Sequence, residues 1–125
     1  MKHLVKITTK DEIEVIDVRG SVGKTIYEEL RGHFKIVTPT LLPKPFIMLV
    51  DQEGMFKSLP ISFIGTNLYK TNPNSTYIAG DVIIAKQEKL SEGESHLVGL
   101  DQKDIAFLRE TLKRMGQALN MSLNL

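Results

Sequence analysis

The 125-residue sequence contains no cysteine and no tryptophan, and aromatic residues make up only 6% of it. Without cysteine the chain has no disulfide bonds, no thiolate metal ligands and no thiol nucleophile. The few aromatic residues do not form the clustered stacking platform of a single-strand nucleic-acid binder. The apolar core alone must therefore stabilise the folded chain.

The sequence also lacks an excess of charge of either sign. Sixteen basic residues stand against fifteen acidic ones, which leaves a formal net charge of +1. No global field then attracts nucleic acid or an anionic membrane. Nucleic-acid binding is consequently the third of three functional hypotheses, and we expect it to be weak.

Long hydrophobic runs are missing as well. No apolar run reaches membrane-spanning length, and the N-terminal stretch MKHLVKITTKDEIEV lacks the uninterrupted apolar region of a secretory signal. We therefore expect no membrane partner and a cytoplasmic location. The length, with 42% hydrophobic and 25% charged residues, predicts one globular domain over residues 1–125.

Apolar and β-branched runs bounded by turn residues predict about five to seven strands. The candidates lie at residues 3–9, 12–18, 33–39, 46–50, 77–86 and 96–100. The first two runs predict a hairpin. The fourth meets a turn sequence at residues 51–54, after which Met55 and Phe56 are interpreted as the returning strand of a second hairpin.

Two segments show helical spacing. Residues 21–32 place Val22, Ile26 and Leu30 on one face, with Ser21 as the predicted N-cap of a short internal helix. A further short helix over Ile61, Ile64 and Leu68 is conceivable, but Gly65 interrupts it.

The longest predicted helix occupies residues 101–120. Asp101 is its expected N-cap, and Asp104 stands three residues further on. Its apolar face consists of Ile105, Leu108, Leu112, Met115 and Leu119.

Together these elements predict an α+β fold: a mostly antiparallel sheet with one short internal helix and a long C-terminal helix, the helices covering one face of the sheet. Three residues are assigned structural roles. Gly54 belongs to the predicted hairpin turn and Asp101 caps the last helix, while Gly80 is expected to mark a bulge or a close backbone approach inside a buried strand.

The stretch GSVGKT at residues 20–25 resembles part of a phosphate-binding loop. Such a loop needs a glycine separated by four residues from Gly-Lys-Thr, and Val18 occupies that position here. The motif is therefore two residues too short. A nucleotide or small polar ligand bound near Lys24, Thr25 and Asp51 is kept as the alternative function, because Asp51 follows an apolar strand as magnesium-binding aspartates do.

The sequence offers few other residue patterns that are typical of catalytic sites. The histidines His3, His33 and His96 are scattered singly, without the spacing of zinc ligands. Carboxylate pairs fall in strand and helix positions where solvated charges are normal. We predict no catalytic residue, no metal site and no cofactor, and an enzyme is not favoured.

Four segments after the N-terminal strand pair resemble the phage and mobile-element family known as domain of unknown function 3846. They read YEELRGHFKIV, FIMLVDQEGMFKSLPISF, YIAGDVIIAK and GLDQKDIAFL. The most specific features are the Glu-Gly turn followed by Leu59 and Pro60, and Gly80 within an apolar run. Members of the family often carry an asparagine shortly after the Leu-Pro, whereas this chain has Ser62 and Phe63.

The resemblance implies a small accessory protein of phages, plasmids or conjugative elements, and it supplies no catalytic residues. Small folded chains without convergent polar groups are poor candidates for enzymes. The leading hypothesis is a non-catalytic protein-interaction module whose partner is a host or element-encoded protein.

The C-terminal tail shows a different pattern. Leu119, Met121, Leu123 and Leu125 alternate with polar residues, which indicates a terminal strand. Such a strand would close the edge of its own sheet or pair with a second copy of the chain. The tail is therefore the candidate element for a homodimer, and closure of the chain's own sheet is the alternative.

Overall fold

The computed structural model describes residues 2–69, 77–89 and 95–119. They form six strands and three helices, numbered in chain order. The strands are β1 (His3–Ile7), β2 (Ile13–Asp17), β3 (Phe34–Val37), β4 (Phe46–Asp51), β5 (Val82–Lys89) and β6 (Ser95–Val98), and the helices are α1 (Val22–Leu30), α2 (Phe63–Tyr69) and α3 (Gln102–Ala118).

All six strands join one antiparallel sheet in the order β2-β1-β5-β4-β3, with β6 paired to the far half of β5. The α+β fold is therefore confirmed. The predicted N-terminal hairpin is confirmed too, since β1 and β2 pair along their whole length, from His3 opposite Asp17 to Ile7 opposite Ile13.

The helices lie on both faces of the sheet, so the prediction that they cover one face is wrong. Ile26 and Leu30 of α1 pack on the face that carries Leu49, whereas Leu108 and Leu112 of α3 pack on the face that carries Met48. The reason lies in β4, where every residue is buried. A strand that is apolar on both sides needs cover on both sides.

Strand β4 has no returning partner after Asp51, and the predicted second hairpin is wrong. Strands β3 and β5 already pair with its two edges, so neither edge is left for Met55 and Phe56. Residues 52–58 form consecutive turns instead. We call residues 52–60 the β4 loop.

Helix α3 begins as predicted. The side chain of Asp101 accepts a hydrogen bond from the backbone N–H of Asp104 at 2.9 Å, and the carboxylate of Asp104 accepts one from the N–H of Asp101 at 3.0 Å. The first of these bonds lowers the pKa of Asp101. Asp104 also pairs with Lys86 at 2.8 Å, which fastens the first turn of α3 to β5 and raises the pKa of Lys86.

Gly80 lies just before β5 rather than inside a strand, because β5 begins at Val82. Its φ of 91° is one that residues with a side chain rarely adopt, and an added Cβ would approach Cδ1 of Leu59 to 2.9 Å. The N–H of Gly80 donates to the carbonyl of Pro60 at 2.7 Å. The expected close backbone approach is thus present, at a bend where the β4 loop meets the start of β5.

The predicted terminal strand lies, apart from Leu119, outside the described residues, and the tail-mediated homodimer stays a prediction. Within the described part of the chain, no helix is both long enough and apolar enough to cross a membrane.

Replacing Gly80 by valine should lower the free energy of unfolding by about 1–3 kcal/mol, because the new side chain would strain the backbone and collide with Leu59. Gly23→Ala is the matched control, since a Cβ at Gly23 meets nothing within 4 Å and alanine favours the helix. Urea titration of both variants measures the difference. A silent Gly80→Val variant would show that the bend is not needed for stability.

Candidate functional site

Thr25 lies in the first turn of α1 and binds the backbone of the loop that precedes the helix. Its side chain is fully buried, and its hydroxyl accepts a hydrogen bond from the N–H of Arg19 at 2.8 Å. The same hydroxyl lies 3.0 Å from the carbonyl oxygens of Arg19 and Ser21, which share its single proton. The hydrogen-bonding capacity of the Thr25 hydroxyl is therefore used by nearby backbone groups rather than by a ligand.

Lys24 is exposed in the first turn of α1. Its backbone N–H donates to the hydroxyl of Ser21 at 3.1 Å, the ordinary geometry of an N-cap, which confirms the predicted cap. Asp51 lies elsewhere, beside Leu30 and Arg31 at the end of α1. The structure thus places Lys24 and Thr25 together but puts Asp51 at the other end of the helix.

Asp51, the last residue of β4, holds the β4 loop in shape. Its carboxylate, 4% exposed, accepts a hydrogen bond from the N–H of Glu53 at 2.7 Å and another from the ammonium group of Lys57 at 2.9 Å. The bond to Asp51 raises the pKa of Lys57. Both carboxylate oxygens are therefore engaged within the loop.

Backbone bonds make the β4 loop compact. The N–H of Lys57 donates to the carbonyl of Glu53 at 2.9 Å, and the N–H of Leu59 donates to the carbonyl of Gly54 at 3.1 Å. Gly54 is buried against the chain before β5, where an added Cβ would lie 2.7 Å from the carbonyl oxygen of Ala79. The predicted structural role of Gly54 is therefore close packing rather than a hairpin turn.

A cavity of about 360 Å³, here called the polar cleft, lies between α1, the end of β1 and the β4 loop. It is lined by Lys6, Thr9, Glu29, Leu30, Arg31, Asp51, Leu59, Pro60, Gly80 and Asp81. Its three carboxylates already have cationic neighbours: Glu29 contacts Lys6 at 3.1 Å and Arg19 at 2.8 Å, Asp51 binds Lys57, and Asp81 lies 3.7 Å from Lys6.

The ion pairs of Glu29 fasten α1 to β1, through Lys6, and to the loop between β2 and α1, through Arg19. Burial alone would raise the pKa of Glu29, but the hydrogen bonds from Arg19 and Lys6 outweigh it and hold the pKa below its ordinary value. Within the described residues, no group of three acidic or histidine side chains is placed to hold a metal ion. The polar cleft is best explained as an internal ion-pair network.

A second cavity, here called the tyrosine pocket, lies on the other side of Asp51 and has a volume of about 240 Å³. It is lined by Lys35, Val37, Val50, Asp51, Gln52, Gly54, Met55, Phe56, Tyr69, Tyr77, Ile78 and Ala79. Apolar and aromatic walls with a few polar groups are typical of recognition pockets.

Phe56 is the most exposed apolar residue of this region. It is 92% exposed at the rim of the tyrosine pocket, and the neighbouring Met55 is 54% exposed. Sequence reasoning missed this, because it interpreted both residues as strand. The signal was the two turn clusters at residues 51–54 and 57–60, which leave only two residues between them, too few for a strand.

The sequence model of the family described as "Domain of unknown function (DUF3846)" matches residues 1–113, and the chain belongs to this family. No curated protein and no solved structure matches the chain. Ser62, which follows Leu59 and Pro60, is buried, and its hydroxyl accepts a hydrogen bond from the N–H of Gly65 at 3.0 Å, at the start of α2.

Replacing Thr25 by valine should destabilise the protein by about 1–3 kcal/mol, because the N–H of Arg19 would lose its buried acceptor. Lys24→Ala, one residue away on the exposed side, should change the free energy of unfolding by less than about 0.5 kcal/mol. Urea titration compares the two. Thermal stabilisation by magnesium with ATP or GTP that disappears in Lys24→Ala would instead support nucleotide binding.

The pH dependence of stability tests the ion pairs of Glu29. Because folding lowers its pKa, Glu29 stabilises the fold above its ordinary value of 4.5, and this contribution is lost as pH falls through the lower folded pKa. Glu29→Gln should therefore be less stable at neutral pH and should lose less stability on acidification. Glu28→Gln, whose carboxylate is more exposed, is the control. Equal acid profiles for Glu29→Gln and the unmodified protein would contradict this role.

Proposed function

We propose that this member of the DUF3846 family is a non-catalytic interaction module that binds a partner protein through Phe56 and the tyrosine pocket. The partner is a host protein or one encoded by the same mobile element. The observation that carries the proposal is the full exposure of an aromatic side chain on a tightly bonded loop.

The β4 loop supports this function because it fixes the backbone on both sides of Phe56. Asp51 binds Lys57 and the N–H of Glu53, and Gly54 packs on Ala79, so little backbone freedom remains to be lost on binding. A preorganised loop contributes to affinity for this reason. Burying a phenylalanine contributes about 1.5–3 kcal/mol, which corresponds to roughly a tenfold to hundredfold change in affinity.

The tyrosine pocket, next to Phe56, is a concave surface that can receive a side chain of the partner. Energetically dominant interface residues cluster around pockets and are enriched in aromatic side chains, with tyrosine prominent among them. Tyr69 and Tyr77 line this pocket, and Met55 adds an adaptable apolar surface at its rim. The carboxylates of the adjoining polar cleft are engaged in ion pairs, so they offer a substrate little free binding capacity.

Site-specific photo-crosslinking tests the proposal. A crosslinking amino acid placed at position 56 in cells that carry the gene should yield a discrete protein adduct, to be identified by mass spectrometry and purified. The same group at position 107 is the control. Phe107 is also an exposed phenylalanine, but it stacks on Phe46 at the opposite end of β4.

With the purified partner, Phe56→Ala should weaken binding at least about tenfold, whereas Phe107→Ala should leave it within about threefold. Calorimetric titration measures both affinities, and thermal melting checks that both variants fold. Failure to form an adduct at position 56, or equal adducts at positions 56 and 107, would overturn the proposal.

A further inference from the structure

We infer that the free edge of β3 pairs with an extended acidic segment of the partner, which adds a strand to the sheet beside the tyrosine pocket. This inference rests on the proposed function and names the kind of partner segment that would be recognised. Three features of the β3 edge support it: its backbone groups, the pocket next to it and its charge.

The backbone of β3 presents to its outer side groups that pair with no described strand. The N–H of Gln52 donates to the carbonyl of His33 at 3.0 Å, so this pair is hydrogen-bonded across β3 and β4. In an antiparallel ladder such pairs alternate with non-bonded ones. By the register, Phe34 and Ile36 occupy the non-bonded positions, and their N–H and carbonyl groups point away from β4.

No described strand pairs with that side of β3, which is the last strand of the sheet. Ile36 is 45% exposed at its centre. An exposed edge with an apolar residue at its centre is a ready template for another strand.

The tyrosine pocket extends over the β3 side chains that face α3. Lys35 and Val37 both line it, since alternate residues of a strand point to the same face. A strand added beside β3 would place every second side chain next to these two residues. One apolar side chain of that strand would then enter the pocket near Val37 and Phe56.

Charge decides which segment fits. Residues 30–50 contain three basic residues and no acidic one. Only Lys35 lies on β3; Arg31 and Lys44 lie in the segments before and after it, and none of the three forms an ion pair with another described residue. A lysine at the centre of an edge strand discourages pairing with an identical edge. It favours a segment that carries an acidic residue two positions from its apolar one.

The other edge strand, β2, differs and provides a matched control. Val15 at its centre is 37% exposed, and by the same ladder argument its N–H also points outward, because the N–H of Val18 donates to the carbonyl of Lys2. The strand carries Glu14 and Asp17, however, and neither cavity described above is lined by β2. An acidic segment should avoid this edge.

The probe is a phage-displayed library of random peptides about ten residues long, long enough for one strand. Selection on the full chain should enrich peptides with an acidic residue two positions from a large apolar one. Ile36→Pro removes one outward N–H and should weaken a selected synthetic peptide at least about tenfold. Two control variants keep the outward N–H of residue 36. Val15→Pro changes the other edge strand and Ile36→Ala changes only the side chain, and both should leave the affinity for the peptide within about threefold of the unmodified protein.

A second measurement does not depend on the stability of a proline variant. In the unmodified protein, the selected peptide should slow hydrogen exchange at the amides of Phe34 and Ile36 but not at the amide of Val15. Enriched basic peptides, failure to enrich any peptide, or unchanged exchange at Phe34 and Ile36 would overturn strand addition.

The variants also separate this inference from the proposed function. Peptides that bind Phe56→Ala weakly but bind Ile36→Pro normally would support the interaction module and contradict strand pairing at β3. Peptides that depend on neither residue would remove both. A dimer seen by light scattering without peptide, and abolished by Ile36→Pro, would assign the edge to a second copy of the chain and overturn the heterologous partner.

Discussion

Strand β4 (Phe46–Asp51) is buried along its whole length, and the rest of the structure depends on covering it. Its two edges are paired by β3 and β5, and its two faces are covered by α1 on one side and by α2 and α3 on the other. Five apolar side chains in a row cannot be buried by fewer neighbours. Burial of this strand therefore brings together elements from the whole length of the chain, from α1 in its first quarter to α3 in its last.

At the end of β4, a buried strand is followed directly by a loop with an exposed apolar side chain. Asp51 is the last residue of the strand, and its carboxylate lies almost entirely out of water, where it is stabilised by Lys57 and a backbone N–H. Five residues later, Phe56 is almost completely exposed. The stable part of the fold thus supports an apolar side chain that would otherwise be expected to turn inward.

Local patterns were sufficient where a local interaction determines the structure. The N-caps Ser21 and Asp101 were predicted because one side-chain oxygen near one backbone N–H fixes each helix start. The N-terminal hairpin followed from alternation and a short turn. In each case the decisive contacts join residues close in sequence.

The face that each helix covers was not predicted correctly, although the continuous apolar run of β4 carried the necessary information. The second hairpin was wrong because the edges of β4 are taken by strands distant in sequence, which no local pattern reveals. The tyrosine pocket was missed for the same reason: Lys35, Phe56 and Tyr77 meet only after the sheet has formed.

The uneven charge distribution has a consequence for how fast partners meet. Residues 30–50 carry three of the sixteen basic residues and none of the fifteen acidic ones, which leaves thirteen basic against fifteen acidic residues in the rest of the chain. Lys35 on β3 forms no ion pair with another described residue, so this edge carries a local positive charge although the molecule as a whole is nearly neutral. Such a local charge attracts an approaching anionic partner before contact, so the association rate should depend on ionic strength even though the net charge is close to zero.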